Sequence, residues 1–319
     1  MSELVMVARR TARKPWVWSY VAAFGVWLAT VIFTGGQAAG GVLTAALTFG
    51  TFFTLVAIGQ MFVITLGPGN VDLSIPATMT LAGTVAMKAM DGNEALIPVG
   101  ILLALVVGLL VGTANFGLIL LLRIPPIIAT LSSSFIILSM AIWWNRGIRI
   151  KPPDVLADFS TTNVVGVPVL AVLVIVVAAL MHVVLARTIV GRSATAIGQN
   201  QRAARLAGVH VERIRFVSYV ISATFAAFTG FLLAAFSGGA SLSMGETYLL
   251  TSIAVVVIGG TSVAGGFSNV PGLWGAALFL FLLVTMLNTF GVGAGPRLIL
   301  TGAIVILVIV AASFRKERD

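Results

Sequence analysis

The chain has 319 residues, of which 59% are hydrophobic and only 9% charged, and its net charge is +9. A water-soluble domain carries about 25% charged residues, so this composition excludes an ordinary soluble protein. The apolar runs are continuous rather than alternating, which excludes a barrel of short strands. They predict an all-α, polytopic integral membrane protein whose helices cross roughly 30 Å of hydrocarbon.

Residues 1–15 are polar and basic, and a first span is expected from Trp16 to Thr34, with Trp16, Trp18 and Tyr20 at its inner interface. A second runs from Leu43 to Leu66. The stretch Gly67-Pro68-Gly69-Asn70-Val71-Asp72-Leu73-Ser74-Ile75-Pro76 follows, and two prolines and two glycines at this spacing break a regular helix. A third apolar run ends near Met90, and Asp91 to Glu94 form a polar turn. The fourth run is Ala95 to Leu122. Pro125-Pro126 breaks the chain before a fifth span that ends near Trp144.

Residues 146–163 form the longest loop on the opposite face, with Arg146, Arg149 and Lys151 set against Asp154 and Asp158. The sixth span is Val164 to Ala186, the seventh Phe216 to Phe236, the eighth Leu249 to Val263. The eighth ends in a glycine-rich segment, Gly259 to Ser268. Pro271 to Phe290 and Arg297 to Phe314 complete a count of ten.

Thirteen of the nineteen Lys and Arg fall in three clusters: four in residues 1–14, six in 187–215, and three after Phe314. With ten spans and the N-terminus inside, all three clusters land on the cytoplasmic face, as the positive-inside rule requires. Both termini are therefore expected in the cytoplasm, and residues 1–319 read as one transmembrane domain. The two glycine-rich interruptions, 67–76 and 259–268, hint at a duplicated arrangement of five plus five spans.

Residues 187–215 are the polar segment around which the apolar sequence is arranged. Within them Asn200 to Gly208 has the marks of a capped helix, with Asn200 as N-cap and Gly208 as a left-handed terminator. Ala203, Ala204, Leu206 and Ala207 fall on one side of its projection and Gln201, Arg202 and Arg205 on the other. A small apolar ridge held in water between two spans calls for a protein partner.

Enzyme chemistry is absent from the pattern. No lysine sits in a phosphate-binding loop motif, His182 and His210 are isolated and suggest no metal site, and no catalytic set can be assembled. No cofactor is implied. The basic clusters lack interleaved aromatics, which argues against nucleic acid. Asn70, Asp72 and Ser74 are candidates for lining a path for a polar solute, because an acid deep in apolar sequence usually faces a cavity or a partner. Equally, Asp72 or Ser74 caps the third span, with Pro76 in its first turn. Thr261 and Ser262 either join that path or belong to a close helix contact. Asn115 and Asn288 suit hydrogen bonds between helices. Arg146, Arg149 and Lys151 either form an ordinary solvated hairpin or dock an acidic patch on an external protein.

The segment Gly69-Asn70-Val71-Asp72-Leu73-Ser74 resembles the Gly-Gly-Ile-Asp-Leu-Ser motif of the ribose-type sugar permeases of bacterial ABC importers. Asn115, Ile124-Pro125-Pro126 and Ala129-Thr130-Leu131 resemble later motifs of that family. So do Gly191-Arg192, Ala196-Ile197-Gly198, Asn200, Ala203-Ala204 and Ala207-Gly208 in the polar loop, and Gly259-Gly260-Thr261-Ser262 with Gly265-Gly266. The resemblance implies a permease subunit in a bacterial inner membrane that imports a monosaccharide or similar polyol. It implies a separate ATP-binding subunit, a periplasmic solute-binding protein and a second permease subunit as partners. Under it, Asn200 to Gly208 becomes the coupling helix that meets the ATPase. Two departures stand out: Asn70 and Pro68 flank Gly69, and Pro126-Ile127 replaces a Pro-Phe pair. Both suit a chain that pairs with a non-identical permease. The competing reading is a stand-alone ion-coupled secondary carrier, which usually shows paired ionisable groups deep in its spans.

Overall fold

The computed structural model describes residues 16–36, 39–145 and 150–316. Their order is α1 (Val17–Phe33), α2 (Ala39–Thr65), α3 (Ile75–Met90), α4 (Ile97–Leu122), α5 (Pro126–Asn145), α6 (Asp154–Thr161), a two-stranded hairpin of β1 (Asn163–Val164) and β2 (Val167–Pro168), then α7 (Val169–Arg187). The chain continues through α8 (Ile189–Gln199), α9 (Gln201–Leu206), α10 (Val211–Phe236), α11 (Tyr248–Ile258), α12 (Val270–Thr289) and α13 (Ala294–Lys316). The hairpin is antiparallel, with Asn163 opposite Pro168.

Among the described residues, six helices are long and apolar enough to cross a membrane. The protein is an all-α membrane protein. The expected eighth span is the clearest difference from the sequence reading. Its helix, α11, has eleven residues and rises about 16 Å, half of the roughly 30 Å that a full span needs. Gly259 and Gly260 stop it early, Gly260 with φ +94°. The expected sixth span, α7, starts at Val169 rather than Val164, because the hairpin and α6 take up part of what sequence reads as loop and span.

Burial sorts the helices. In the most apolar window, 67% of α10 and of α12 is buried, against 28% of α4, α5 and α7. The outer helices therefore present apolar faces, among them Leu110, Leu121, Phe135 and Ile136. The inner helices satisfy most of their polar groups internally, although Thr54 Oγ1 and Gln60 Nε2 of α2 and Trp274 Nε1 of α12 are buried without a hydrogen-bond partner. On α2, the hydroxyls of Thr48, Thr51 and Thr65 each donate to the carbonyl four residues back, at 2.9, 2.8 and 2.6 Å. Close approach comes from small residues. A β-carbon on Gly108 or Gly112 of α4 would stand 2.6 Å from the α-carbon of Thr224 or Val220 on α10, so these two helices pack backbone to backbone.

Contacts along the helices order them by level. Ser222 of α10 lies beside Asp72, Gly230 against Met79 and Ala234 against Gly83, so α10 and α3 climb together toward one end. The chain then turns back. Met244 reaches Gly83, and a β-carbon on Gly245 would collide with the Pro76 carbonyl. Tyr248, the first residue of α11, packs edge-on against Phe53 in the middle of α2. From there α11 runs parallel to α2 toward the α8–α9 end. The segments 66–74 and 237–247 are thus counterparts: each follows a long helix, returns into the bundle, and starts a shorter helix running the other way. The sequence pairs 67–76 with 259–268 instead, because glycine content marks a break without marking its direction.

Candidate functional site

The 66–74 break is held by a buried network. The Asp72 Oδ1 accepts from the Ser74 backbone N–H at 3.0 Å and from the Ser74 hydroxyl at 2.6 Å. Its Oδ2 accepts from the Ser222 hydroxyl of α10 at 2.8 Å. Ser74 Oγ accepts in turn from Asn115 Nδ2 of α4 at 2.8 Å, and the Asn115 carbonyl oxygen accepts from Ser133 of α5. The Asp72 N–H donates to Gln60 Oε1 of α2, and the Leu73 N–H donates to Thr130 Oγ1 of α5. Asp72, Ser74, Asn115 and Gln60 have no solvent exposure. The network therefore ties the break to α2, α4, α5 and α10, the carboxylate itself reaching Ser74 and α10. Buried polar groups demand such partners, since a stranded donor costs on the order of 1–3 kcal/mol. Ser74 is the N-cap residue of α3 but makes no side-chain cap, its hydroxyl being spent on Asp72; Pro76 sits in the first turn. Asn70, half-buried, accepts from the Tyr219 hydroxyl at 3.3 Å.

Thr261 and Ser262 are engaged elsewhere. Thr261 is buried, and its hydroxyl accepts from the Asn269 N–H at 3.3 Å. The Ser262 N–H donates to Phe267 O at 2.9 Å, and its carbonyl accepts from the Gly265 N–H. Both residues stitch the loop after α11 to itself and to the start of α12. The two breaks do meet, but through backbone: the Gly266 N–H donates to Thr65 O at 3.0 Å, and Gly67 lies against Gly265.

The last turn of α8 closes this junction. A β-carbon on Gly198 would collide with both the Thr65 carbonyl oxygen and the Gly266 nitrogen. Gln199 Nε2 donates to Gly266 O at 3.3 Å. So α8 is bolted to the ends of both breaks at one point. The sequence reading places a single helix in this segment; α8 precedes it, capped by Thr188, whose hydroxyl accepts from the Gly191 N–H.

The Asn200 side chain accepts from the Ala203 N–H at 3.0 Å, and Gly208 has φ +84°, the cap and terminator expected of α9. The apolar ridge is divided. Ala204 is buried against the chain's own helices with Ile197, Val211 and Leu66. Ala203, Leu206 and Ala207 are exposed, Leu206 at 84%. Glu212 pairs with Arg205 and Arg215 at 3.3 and 3.2 Å, fixing the turn between α9 and α10. Lys151 is exposed, just before the buried Pro152 and Pro153. Arg146 and Arg149 lie outside the described residues.

Residues 42–312 match the family described as branched-chain amino acid transport system / permease component. The chain belongs to this permease family. The matched span covers both breaks, the α8–α9 pair and the buried network around Asp72. Among similar proteins is an autoinducer 2 import system permease of an Enterobacter species, 31% identical across 83% of this chain and 80% of its own. A ribose import permease of Haemophilus influenzae is 27% identical over 82% of this chain and 81% of its own. A fructose import permease of Bifidobacterium longum is 29% identical over 87% and 78%. No solved structure matches. In this permease, sequence reasoning missed Gln60, Ser133 and Ser222 because single hydroxyls and amides on apolar helices carry no spacing signal; Thr130 stood in a segment that resembles the family, without its bond to Leu73. Gly198 stood in the segment Ala196-Ile197-Gly198 that resembles the family, but its place at the junction shows only in the backbone packing.

Proposed function

We propose that this permease is the membrane subunit of a binding-protein-dependent ABC importer in a bacterial inner membrane, and that its solute is a monosaccharide or similar polyol. The whole chain acts as one transmembrane permease domain of ten membrane-inserted helices with both termini cytoplasmic. Import by the ribose, fructose and autoinducer 2 relatives supports the solute class. The observation that carries the coupling role is the position of α9. Leu206 stands 84% exposed on a capped helix whose neighbour α8 is locked to both breaks. An exposed leucine on a short helix suits insertion into a groove on a partner. ATP hydrolysis belongs to a separate subunit that grips Asn200, Ala203, Leu206, Ala207 and Gly208, while Ala204 anchors the helix to its own bundle. A second permease subunit, identical or paralogous, completes the path.

Asn70, Asp72, Ser74, Thr261 and Ser262 border the translocation path at the two breaks, Asp72 and Ser74 by holding its wall in place. Arg146, Arg149 and Lys151 dock the periplasmic binding protein through its acidic surface. The decisive experiment is solute uptake in proteoliposomes. Uptake requires the ATPase, the binding protein and ATP; uptake by this chain alone under a proton or sodium gradient overturns the reading in favour of a secondary carrier.

A further inference from the structure

At the end of the bundle away from α8 and α9, a cavity of about 490 Å³ opens between the last turn of α10, the returning segment 237–247 and the first residue of α11. We propose that this cavity is a receiving site for an uncharged polyhydroxylated solute, through which the solute passes on its way into the bundle. The proposal deepens the importer reading and rests on it.

Its chemistry selects the solute. Ser237, Ser241, Thr247 and Tyr248 supply hydroxyl-bearing side chains to the wall, and Met244 and Leu233 supply an apolar face. No Asp, Glu, Lys, Arg or His lines it. A zwitterionic amino acid entering such a space gives up hydration at two charged ends with no counter-charge to meet them. A sugar exchanges water for hydroxyl partners at little cost and lays its C–H surface on the thioether and the leucine. The one charged side chain in 237–248 is Glu246, whose sign opposes an anionic solute. Size agrees, since small-molecule sites typically fall at about 300–1,000 Å³.

The walls are built rather than loose. The Gly239 N–H donates to Ala234 O at 2.8 Å, Gly245 is seated on Pro76, and Met244 on Gly83. Through Met244 the cavity wall rests on Gly83 of α3, nine residues along the chain from Ser74. A solute moving inward from it follows α3 and α10 toward the network that holds the 66–74 break.

The chain has no cysteine, so a Ser241→Cys variant offers one thiol at the cavity. It is assembled with its ATPase and binding protein in proteoliposomes, and ATP-driven uptake of radiolabelled D-ribose, D-fructose and L-leucine is followed. Wild type is expected to carry a sugar and not leucine. A bulky methanethiosulfonate reagent is expected to cut sugar uptake by Ser241→Cys at least tenfold, with dithiothreitol restoring it. Asp91→Cys, at the same end but away from the cavity, is expected to be unaffected. Unchanged uptake by modified Ser241→Cys overturns the cavity as a receiving site while leaving the importer reading intact. Leucine uptake equal to or above both sugars overturns the solute class. Absence of uptake of all three by wild type, with every subunit assembled, overturns ribose and fructose as solutes of the receiving site; the importer reading itself falls to uptake by this chain alone under an ion gradient.

Discussion

Asp72 gathers three donors within 3.0 Å in a space with no solvent. Replacing it with Ala strands the Ser222 and Ser74 donors together. The expected loss is about 2–4 kcal/mol, on the order of 1–3 kcal/mol for each stranded group before hydroxyls rotate to new partners. Thermal unfolding in detergent checks it. Ser222→Ala removes one bond and is expected to cost about 1 kcal/mol. If the two variants melt together, Asp72 is not the hub. Ser74 stands between Asp72 and Asn115, so Ser74→Ala is expected to lie between them. At this scale the sequence was informative about Asp72 and Ser74, because an Asp-Leu-Ser before a proline advertises a helix start. It was silent on Ser222, which lies 150 residues away and meets Asp72 only through packing.

The α8–α9 pair works as an element. The cap is worth about 1 kcal/mol to so short a helix, and Asn200→Ala is expected to fray α9 and weaken retention of the ATPase on the purified permease while leaving the melting temperature within a few degrees. Leu206→Asp is expected to abolish that retention. Gly198→Ala probes a different property. Its β-carbon forces apart α8, Thr65 and Gly266, so the ATPase is expected to stay bound and to hydrolyse ATP while uptake per ATP falls several-fold. Uptake at the normal ratio removes Gly198 from the coupling route. The capped helix was legible from Asn200 and Gly208, whose side-chain chemistry is local. That its apolar ridge is split between the chain and its surroundings was not, since a helical projection ranks faces without saying what covers them.

The whole molecule is sided if the two breaks and the basic clusters are read together. Single cysteines introduced in this cysteine-free chain test that. In intact cells a membrane-impermeant maleimide is expected to label Asp91→Cys and Ser241→Cys, and to reach Leu206→Cys only after permeabilisation. The opposite pattern inverts the topology. The long apolar runs gave the all-α membrane class and the order of the long helices, because hydropathy integrates over about twenty residues. The return of 237–247 into the bundle escaped it. Residues 241–247 have the composition of a surface turn, and five of the seven are exposed; only Gly245, seated on Pro76, shows that the segment turns back against α3.

The shortness of α11 bears on how the chain is made. Eleven residues rise too little to be released into lipid as an independent segment. As the polypeptide leaves the ribosome, α10 can settle in the bilayer by its own hydrophobicity, but Tyr248–Ile258 cannot. Its first residue, Tyr248, packs on Phe53 of α2, synthesised nearly two hundred residues earlier, and its C-cap Gly259 lies against Gly272 of α12, synthesised later. The segment facing the proposed receiving site is therefore expected to dock only after α12 has been made.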